Sequence, residues 1–391
     1  MRMKLTFLLT AVLAAGMIAQ PARSQVSRDK GGEDETGPYE PVSGFPQPIA
    51  PAGYTWGSQA GVFAETPNRI FLANRGELLL PAITPPGYNG FFGTIDIKQT
   101  NNGASRRETP PDVMRDCIVV VDGTGKMVED WTQWDHLFAG GGTAALGRGP
   151  HAIRISPYDP EHRIWVVDDV RQAVFVFSND GKKLLMTIGE PGVPGNDDKH
   201  FGRPTDIAWN KDGSFFVSDG YVNTRVVKFD KDGKYLMTWG VPDADRKNPK
   251  PNEFNGVHGI ATDANGRVYV SDRGNQRVQV FDSNGKFLDQ WPGISPWALY
   301  MSNDQHLWIA DGSTDKFLEF DLSGKFLYGW GTHGTGPGQF WAVHGFSVDT
   351  DGNMYAAETY GGRTQKFRPR AGADRSKLMG APVPLMPKSG S

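Results

Sequence analysis

Three of the eight histidines occupy the same place in a recurring segment of the sequence. His151 begins His-Ala-Ile, His258 begins His-Gly-Ile and His344 begins His-Gly-Phe. Three imidazole nitrogens about 2.0–2.1 Å from one ion, with a fourth position open, form a common catalytic zinc site. The sequence therefore predicts a zinc site at these three residues, provided that the fold brings them together. The alternative is that they are separate core histidines, each hydrogen-bonded locally.

The segments around these histidines belong to a longer repeat. In residues 258–288, short runs of β-branched and aromatic residues alternate with Asx-Gly turns, which is typical of a four-stranded β-meander. Six units of this kind begin at Ala60, His151, Thr205, His258, Trp297 and His344. Six four-stranded sheets arranged radially close into a propeller, so the sequence predicts an all-β, six-bladed β-propeller over residues 47–370. The first unit carries an insertion at about residues 77–116.

Histidine occupies the first inner-strand position in units two, four and six, and in no other unit. Alternate blades of a six-membered ring lie about 120° apart, and equivalent inner-strand residues point to the central channel at one depth. The three imidazoles are therefore expected to meet at the channel axis. The other five histidines fall outside this register and are expected at the surface: His136, His162, His200, His306 and His333.

Further polar residues follow the second strand of several units, at one mouth of the predicted channel. The segments are Asn74-Arg75-Gly76, Asp219-Gly220-Tyr221, Asp272-Arg273-Gly274 and Glu358-Thr359-Tyr360. Two arginines and a tyrosine facing a metal suit an anionic substrate and a proton transfer. The alternative is that the acids cap turns and that Arg273 pairs with an acid of a neighbouring blade.

Composition limits the classes of function. The 391 residues include 41 Lys and Arg against 44 Asp and Glu, a net charge of −3, which does not fit a nucleic-acid partner. Residues 1–24 have a basic start, an apolar run and a small-x-small end, and are predicted to be a signal peptide. Export to a periplasm or the outside follows, with no membrane contact after cleavage. Residues 25–46 are predicted to be a flexible leader and residues 371–391 a C-terminal tail.

The blades resemble NHL repeats, and residues 218–229 resemble the Asp-Gly-Tyr-Cys-Asn-Ser-Arg motif of the peptidyl-α-hydroxyglycine α-amidating lyases. The resemblance spans roughly residues 48–370. It implies that zinc is held by the three histidines and that Tyr221 is the catalytic tyrosine. It also implies that Arg75 and Arg273 bind the carboxylate of a peptide or small-molecule substrate. The reaction implied is N-dealkylation of a hydroxyglycine to an amide and glyoxylate.

The sequence departs from that family at two positions beside the third histidine. Ala342 stands where the family has a methionine implicated at the active site, and Gly345 where it has an aspartate near a structural calcium, which puts calcium in doubt here. The disulfides of the animal enzymes are also missing, because Cys117 is the only cysteine. Two other functions therefore stay open. One is a different metal-dependent propeller enzyme, such as a lactonase, and the other is a non-catalytic propeller that binds a protein or glycan. The oligomeric state is not predicted.

Overall fold

The structure is a computed structural model that describes residues 34–84, 86, 88, 90–92, 112–140 and 148–388. The predicted signal peptide at residues 1–24 lies outside the described residues. Parts of the predicted leader, insertion and tail also lie outside them. Among the described residues, no helix has the length and apolar character needed to cross a bilayer.

The described chain is built almost entirely from short β-strands, with one short helix at Asp135–Phe138 and 3₁₀ turns at Thr132–Trp134, Arg273–Asn275 and Arg375–Lys377. The strands are β1 Tyr39–Pro41, β2 Tyr54–Trp56, β3 Gln59–Thr66, β4 Arg69–Asn74, β5 Glu77–Leu79, β6 Ile118–Val121, β7 Met127–Asp130, β8 Ala152–Ile155, β9 Ile164–Asp168, β10 Ala173–Phe177, β11 Leu184–Ile188, β12 Pro204–Trp209, β13 Phe215–Asp219, β14 Arg225–Phe229, β15 Tyr235–Trp239, β16 Val241–Pro242, β17 Glu253–Phe254, β18 Val257–Thr262, β19 Val268–Asp272, β20 Arg277–Phe281, β21 Phe287–Pro292, β22 Pro296–Met301, β23 Leu307–Asp311, β24 Lys316–Phe320, β25 Phe326–Trp330, β26 Val343–Val348, β27 Met354–Glu358 and β28 Arg363–Pro369.

Six four-stranded antiparallel sheets form the blades. In chain order they are β3-β4-β6-β7, β8 to β11, β12 to β15, β18 to β21, β22 to β25, and β26-β27-β28-β1. The first strand of each blade contacts the first strand of the next, from β3 through β26 and back to β3. The six-bladed propeller predicted from the repeat is confirmed.

The sequence of each blade follows the burial of its strands. The second and third strands are almost wholly buried and are rich in β-branched and aromatic residues, as in Ile164–Asp168 and Ala173–Phe177. The fourth strand lies at the rim and alternates between solvent and core, as in Tyr235–Trp239. Aromatic side chains fill the space between blades, where Trp239 of blade three lies 5.8 Å from Phe281 of blade four between ring centroids.

The recurrent Asx-Gly segments are hairpin turns, as predicted. In the turn of blade three, Oδ1 of Asp230 accepts hydrogen bonds from the backbone N–H groups of Asp232 and Lys234. Gly233 in that turn has φ +83°, a left-handed conformation that glycine adopts without steric cost.

The ring is closed by residues that the sequence analysis placed in a flexible leader. Tyr39–Pro41 pairs antiparallel with β28 and supplies the fourth strand of blade six. The prediction of a flexible leader up to residue 46 is therefore wrong for this segment. The physical reason is that blade six takes only three strands from the C-terminal end of the repeat, so its fourth strand comes from the N-terminal segment.

The tail after residue 370 crosses the face of the propeller opposite the mouth. The backbone N–H of Asn303 in blade five donates to the carbonyl of Ala381, and that of Met386 donates to the carbonyl of Pro157 in blade two. Blades two and five lie opposite each other in the ring, so residues 381–386 pass over the channel. Nε2 of His162 lies 2.5 Å from the carbonyl oxygen of Met386, and the ring is buried. The prediction that His162 is a surface residue is therefore wrong, because the tail covers it.

Candidate active site

His151, His258 and His344 meet at the channel axis. Each stands at the start of the innermost strand of blades two, four and six, and each is 93% or more buried. Their candidate ligand nitrogens all lie within 4.8 Å of one another, and the ring centroids are 4.4–5.0 Å apart. They are the only group of three or more such side chains found in the described part of the chain. The predicted convergence is therefore present, and the separate core histidines of the alternative are not.

The other three blades hold these rings in place. Nδ1 of His151 lies 2.6 Å from the carbonyl oxygen of Thr205, Nδ1 of His258 lies 2.5 Å from that of Trp297, and Nδ1 of His344 lies 2.8 Å from that of Ala60. These three residues hold the first inner-strand position of blades three, five and one. A carbonyl only accepts, so each Nδ1 carries the proton and each Nε2 keeps a free lone pair.

The electrostatic surroundings keep the three imidazoles neutral. Burial lowers the pKa of all three well below the ordinary value of 6.5. Neighbouring positive charge lowers the pKa further, from Arg75 near His344 and from Arg273 near His258. Three neutral imidazoles with converging lone pairs are the donor set that a borderline-soft divalent ion such as zinc prefers.

Tyr221 reaches the same point from the mouth of the channel. Its hydroxyl lies 3.1 Å from Nε2 of His151 and 3.0 Å from Nε2 of His258. The adjacent Gly220 makes this position possible, because a Cβ there would lie 1.6 Å from the carbonyl oxygen of Val257. The glycine therefore lets blade three pack directly on the backbone of blade four and places the phenol over the histidines.

Arg75 lies beside the histidines with incomplete pairing. It is 6% exposed, and its Nε donates to the carbonyl of Pro150 at 3.2 Å. Its Nη2 is buried with no hydrogen-bond partner among the described residues. Burial and the nearby charge of Arg148 lower its pKa to about 10, so it is still charged at neutral pH.

Arg273 is held by aromatic rings. Its guanidinium carbon lies 5.2 Å from the ring centroid of Tyr221 and 4.9 Å from that of Trp297. Such cation–π contacts orient a guanidinium through its flat face. Its N–H groups lie in the plane of the guanidinium and can still donate to a ligand.

Two arginines and an aspartate at the mouth were missed by the sequence analysis. The guanidinium carbons of Arg148 and Arg203 lie 5.8 and 4.7 Å from the ring centroid of Tyr221. Both donate to Oδ2 of the buried Asp169 at 2.5 Å. Burial opposes ionisation of Asp169, but these two charges outweigh it and hold its pKa well below the usual range. Arg148 and Arg203 come three and two residues before the inner-strand position, and that spacing is the only sequence signal for them.

The acids of the mouth segments have structural partners. Asp219, Asp272 and Glu358 form buried ion pairs with the arginines that begin the following strand, at N–O distances of 2.7–2.9 Å: Arg225, Arg277 and Arg363. Asn74 hydrogen-bonds to Gln59 and to the carbonyl of Asp116. These acids are therefore held in ion pairs within their own blades, and Arg273 lies against the ring of Tyr221. Tyr360 packs against Trp297 and Trp341, with ring centroids 5.7 and 6.0 Å apart.

The surroundings of Gly345 do not fit the calcium ion that the resemblance implies. A Cβ at this position would lie 3.1 Å from Cα of Gly61, so the two backbones are in close contact. The inner-strand carboxylate of Asp206 is already ion-paired with Arg154 at 3.0 Å. Ala342, which replaces the family's methionine, is buried with φ +59°. We derive no step through calcium.

Comparisons with known proteins agree with this architecture. The NHL repeat family matches residues 254–281, in blade four. The chain is 28% identical over 335 residues to peptidyl-glycine alpha-amidating monooxygenase B of Xenopus laevis, covering 82% of this chain and 35% of that protein. It is 39% identical over 226 residues to a probable peptidyl-alpha-hydroxyglycine alpha-amidating lyase of Caenorhabditis elegans, covering 57% of this chain and 56% of that one. A solved streptogramin B lyase shares the fold, with a TM-score of 0.50 at 12% identity over 85% of this chain and 97% of that one.

The fold and the NHL repeat in blade four place the chain in the class of six-bladed NHL β-propellers. Within that class it is similar to the peptidyl-α-hydroxyglycine α-amidating lyases, and the resemblance found in the sequence is confirmed. The chain spans about a third of the length of the first curated relatives it matches, at 35% and 32%.

Proposed function

We propose that the protein is an exported zinc-dependent lyase that splits an α-hydroxyglycine derivative into an amide and glyoxylate. The observation that carries the proposal is the arrangement at the axis. Three unprotonated Nε2 atoms face one another, and the hydroxyl of Tyr221 lies 3.0–3.1 Å from two of them. Relatives named as lyases of this kind support the reaction class.

The residues present fit a resident zinc ion. His151, His258 and His344 would hold it through Nε2, since their Nδ1 protons are committed to backbone carbonyls. When bound, zinc with an open position supplies Lewis-acid chemistry that makes a substrate hydroxyl more acidic.

Tyr221 is the proposed base. As the substrate hydroxyl loses its proton to the phenolate oxygen, its C–O bond becomes the carbonyl of glyoxylate. The carbon–nitrogen bond breaks, and its electron pair stays on the amide nitrogen, which takes up a proton. The guanidiniums of Arg148, Arg203 and Arg273 lie 4.7–5.8 Å from the ring of Tyr221, where they stabilise a negative charge on it.

Arg75 and Arg273 are the proposed carboxylate-binding residues. Arg75 has a buried Nη2 without a partner in the described structure, and Arg273 presents its guanidinium edge between two aromatic rings. Planar guanidinium donors match a carboxylate in bidentate geometry. Binding there would orient the α-carbon toward Tyr221 and the histidines.

The test is elemental analysis of the purified protein together with an assay of glyoxylate release from N-benzoyl-α-hydroxyglycine. We expect about one zinc per chain and release that stops when a chelator removes the metal. Simple lactones and esters are assayed in parallel. Bound zinc with ester hydrolysis and no glyoxylate would show a hydrolase. The absence of zinc and of both activities would show a binding scaffold.

A further inference from the structure

The mouth of the channel carries more positive charge than one carboxylate requires. Four guanidiniums surround the site, from Arg75, Arg148, Arg203 and Arg273. The carboxyl groups that act on this cluster are those of Asp169 and Asp168. Burial and the charge of Asp169 raise the pKa of Asp168 to about 7, so this carboxyl is only partly ionised at neutral pH.

Arg148 and Arg203 are incompletely satisfied by the protein. Both direct their shortest hydrogen bonds to a single atom, Oδ2 of Asp169. Nε of Arg148 is buried without a partner among the described residues. Two guanidinium charges thus face one carboxylate charge, in a site where unpaired buried donors are costly.

The backbone at Arg203 is held in a conformation that L-residues avoid. Its φ is +66°, and the same left-handed conformation recurs two residues before each histidine, at Gly149, Gly256 and Ala342, with φ +83°, +68° and +59°. This conformation is therefore a regular feature of the connection that enters a blade. In blade three it carries an arginine, whose guanidinium carbon lies 4.7 Å from the ring centroid of Tyr221.

From these observations we propose that Arg203 and Arg148 form a second anion subsite, and that the preferred substrate carries a second negatively charged group besides its carboxylate. The proposal rests on the proposed function, in which Arg75 and Arg273 take the first carboxylate. The second group belongs to the acyl side of the scissile bond, because the carboxylate occupies the other side of the reacting carbon. An acyl group or preceding residue that ends in a carboxylate has this chemistry.

The test uses two substrates that differ by one charge, N-succinyl-α-hydroxyglycine and N-butanoyl-α-hydroxyglycine. Both have a four-carbon acyl chain, and only the first ends in a carboxylate. We expect the full-length enzyme to show a KM for the succinyl substrate about tenfold lower, because a charge-assisted hydrogen bond contributes that much. Arg203→Gln should lower kcat for both substrates to the same extent, because Arg203 also lies against the ring of Tyr221, and it should abolish the difference in KM between them. Arg203→Lys should retain most of that difference.

Arg267→Gln is the matched control. Like Arg203, Arg267 is a partly exposed arginine paired with a buried aspartate. The side chain of Arg267 is 31% exposed and that of Arg203 is 35% exposed. Its partner Asp263 lies in a turn on the opposite face of the propeller. This variant should keep the preference for the succinyl substrate.

A binding measurement separates the two proposals. Calorimetry compares N-succinylglycine with N-butanoylglycine, which lack the reacting hydroxyl. Tighter binding of the succinyl compound that is lost in Arg203→Gln supports the subsite even if neither hydroxyglycine releases glyoxylate, an outcome that would reject the lyase alone. Glyoxylate release with equal KM values and equal binding of the two compounds would reject the subsite alone. If the protein neither binds these compounds nor releases glyoxylate, both proposals are rejected.

Discussion

At the far end of the channel, the carboxylate of Glu65 is bonded to Arg69, His162 and Lys388. At the mouth, Nη2 of Arg75 and Nε of Arg148 are buried without partners among the described residues. An unsatisfied buried donor costs about 1–3 kcal/mol, and a bound carboxylate would offset that cost for these two groups. The contrast teaches that the protein itself neutralises the charges at the far end, whereas at the mouth it leaves donors that fit the anion of the proposed function.

The largest difference between substitutions at the two ends is expected when a histidine at the channel axis is removed. His258→Ala should lose bound zinc and lower glyoxylate release by about 10³-fold or more, because one of three ligands is gone. Elemental analysis and the glyoxylate assay check this. His306→Ala, which removes a histidine paired with Glu319 in a far-end turn, should change neither. Unchanged zinc content in His258→Ala would reject the metal site.

Removing the base at the mouth should separate chemistry from metal binding. Tyr221→Phe deletes the hydroxyl that lies 3.0–3.1 Å from two Nε2 atoms. We expect kcat to fall by about 10²–10⁴-fold, the usual contribution of a general base, with zinc content retained. Tyr158→Phe, in a far-end loop, is the control. A Tyr221→Phe enzyme with normal kcat would exclude the phenol as base.

Truncation after Gly380 should affect stability and spare the chemistry. It removes the bonds of Ala381 and Met386 to blades five and two and the contact of Lys388 with Glu65. We expect the free energy of unfolding to fall by about 3 kcal/mol, at about 1 kcal/mol for each lost hydrogen bond. Urea unfolding measures it, with kcat on the same samples. Loss of kcat without loss of stability would contradict this division between the two ends.

The smallest effect is expected from the buried Asp168 at the mouth, whose pKa is raised to about 7, first by burial and then by Asp169. Between an unfolded value near 3.8 and about 7, the folded protein holds a proton that the unfolded chain releases. Stability should therefore fall as pH rises through this window. Asp168→Asn should remove that slope and be more stable than the wild type at pH 8, where the wild-type protein buries a charged carboxylate. The free energy of unfolding is measured with urea for both proteins from pH 5 to 8. The same dependence on pH in both proteins would contradict the assignment.

The sequence predicts the residues whose position is set by the repeat. His151, His258 and His344 share one register, and a regular β-period fixes where a register residue points. The rings are oriented by the backbone carbonyls of Ala60, Thr205 and Trp297. Every residue has a backbone carbonyl, so the sequence does not predict these hydrogen bonds.

Other features escaped because their partners are distant in sequence. Tyr39–Pro41 has no strand pattern of its own and becomes a strand only against β28, more than 300 residues later. His162 becomes buried only when Met386 covers it. Arg203 and Arg148 lie in connections between blades, where no period applies and the backbone conformation decides which side chains reach the channel.

The seam between blades six and one determines when the proposed metal centre can be assembled during biosynthesis. The hydrogen bond from His344 to Ala60 crosses that seam. The N-terminal strand β1 also joins the two ends of the chain, because it pairs with β28 of blade six. A growing polypeptide therefore has at most two of the three ligands until its last blade has emerged and joined its first. Loading with the ion can only follow completion of the whole ring, which places it after translation, in whatever compartment the finished chain reaches.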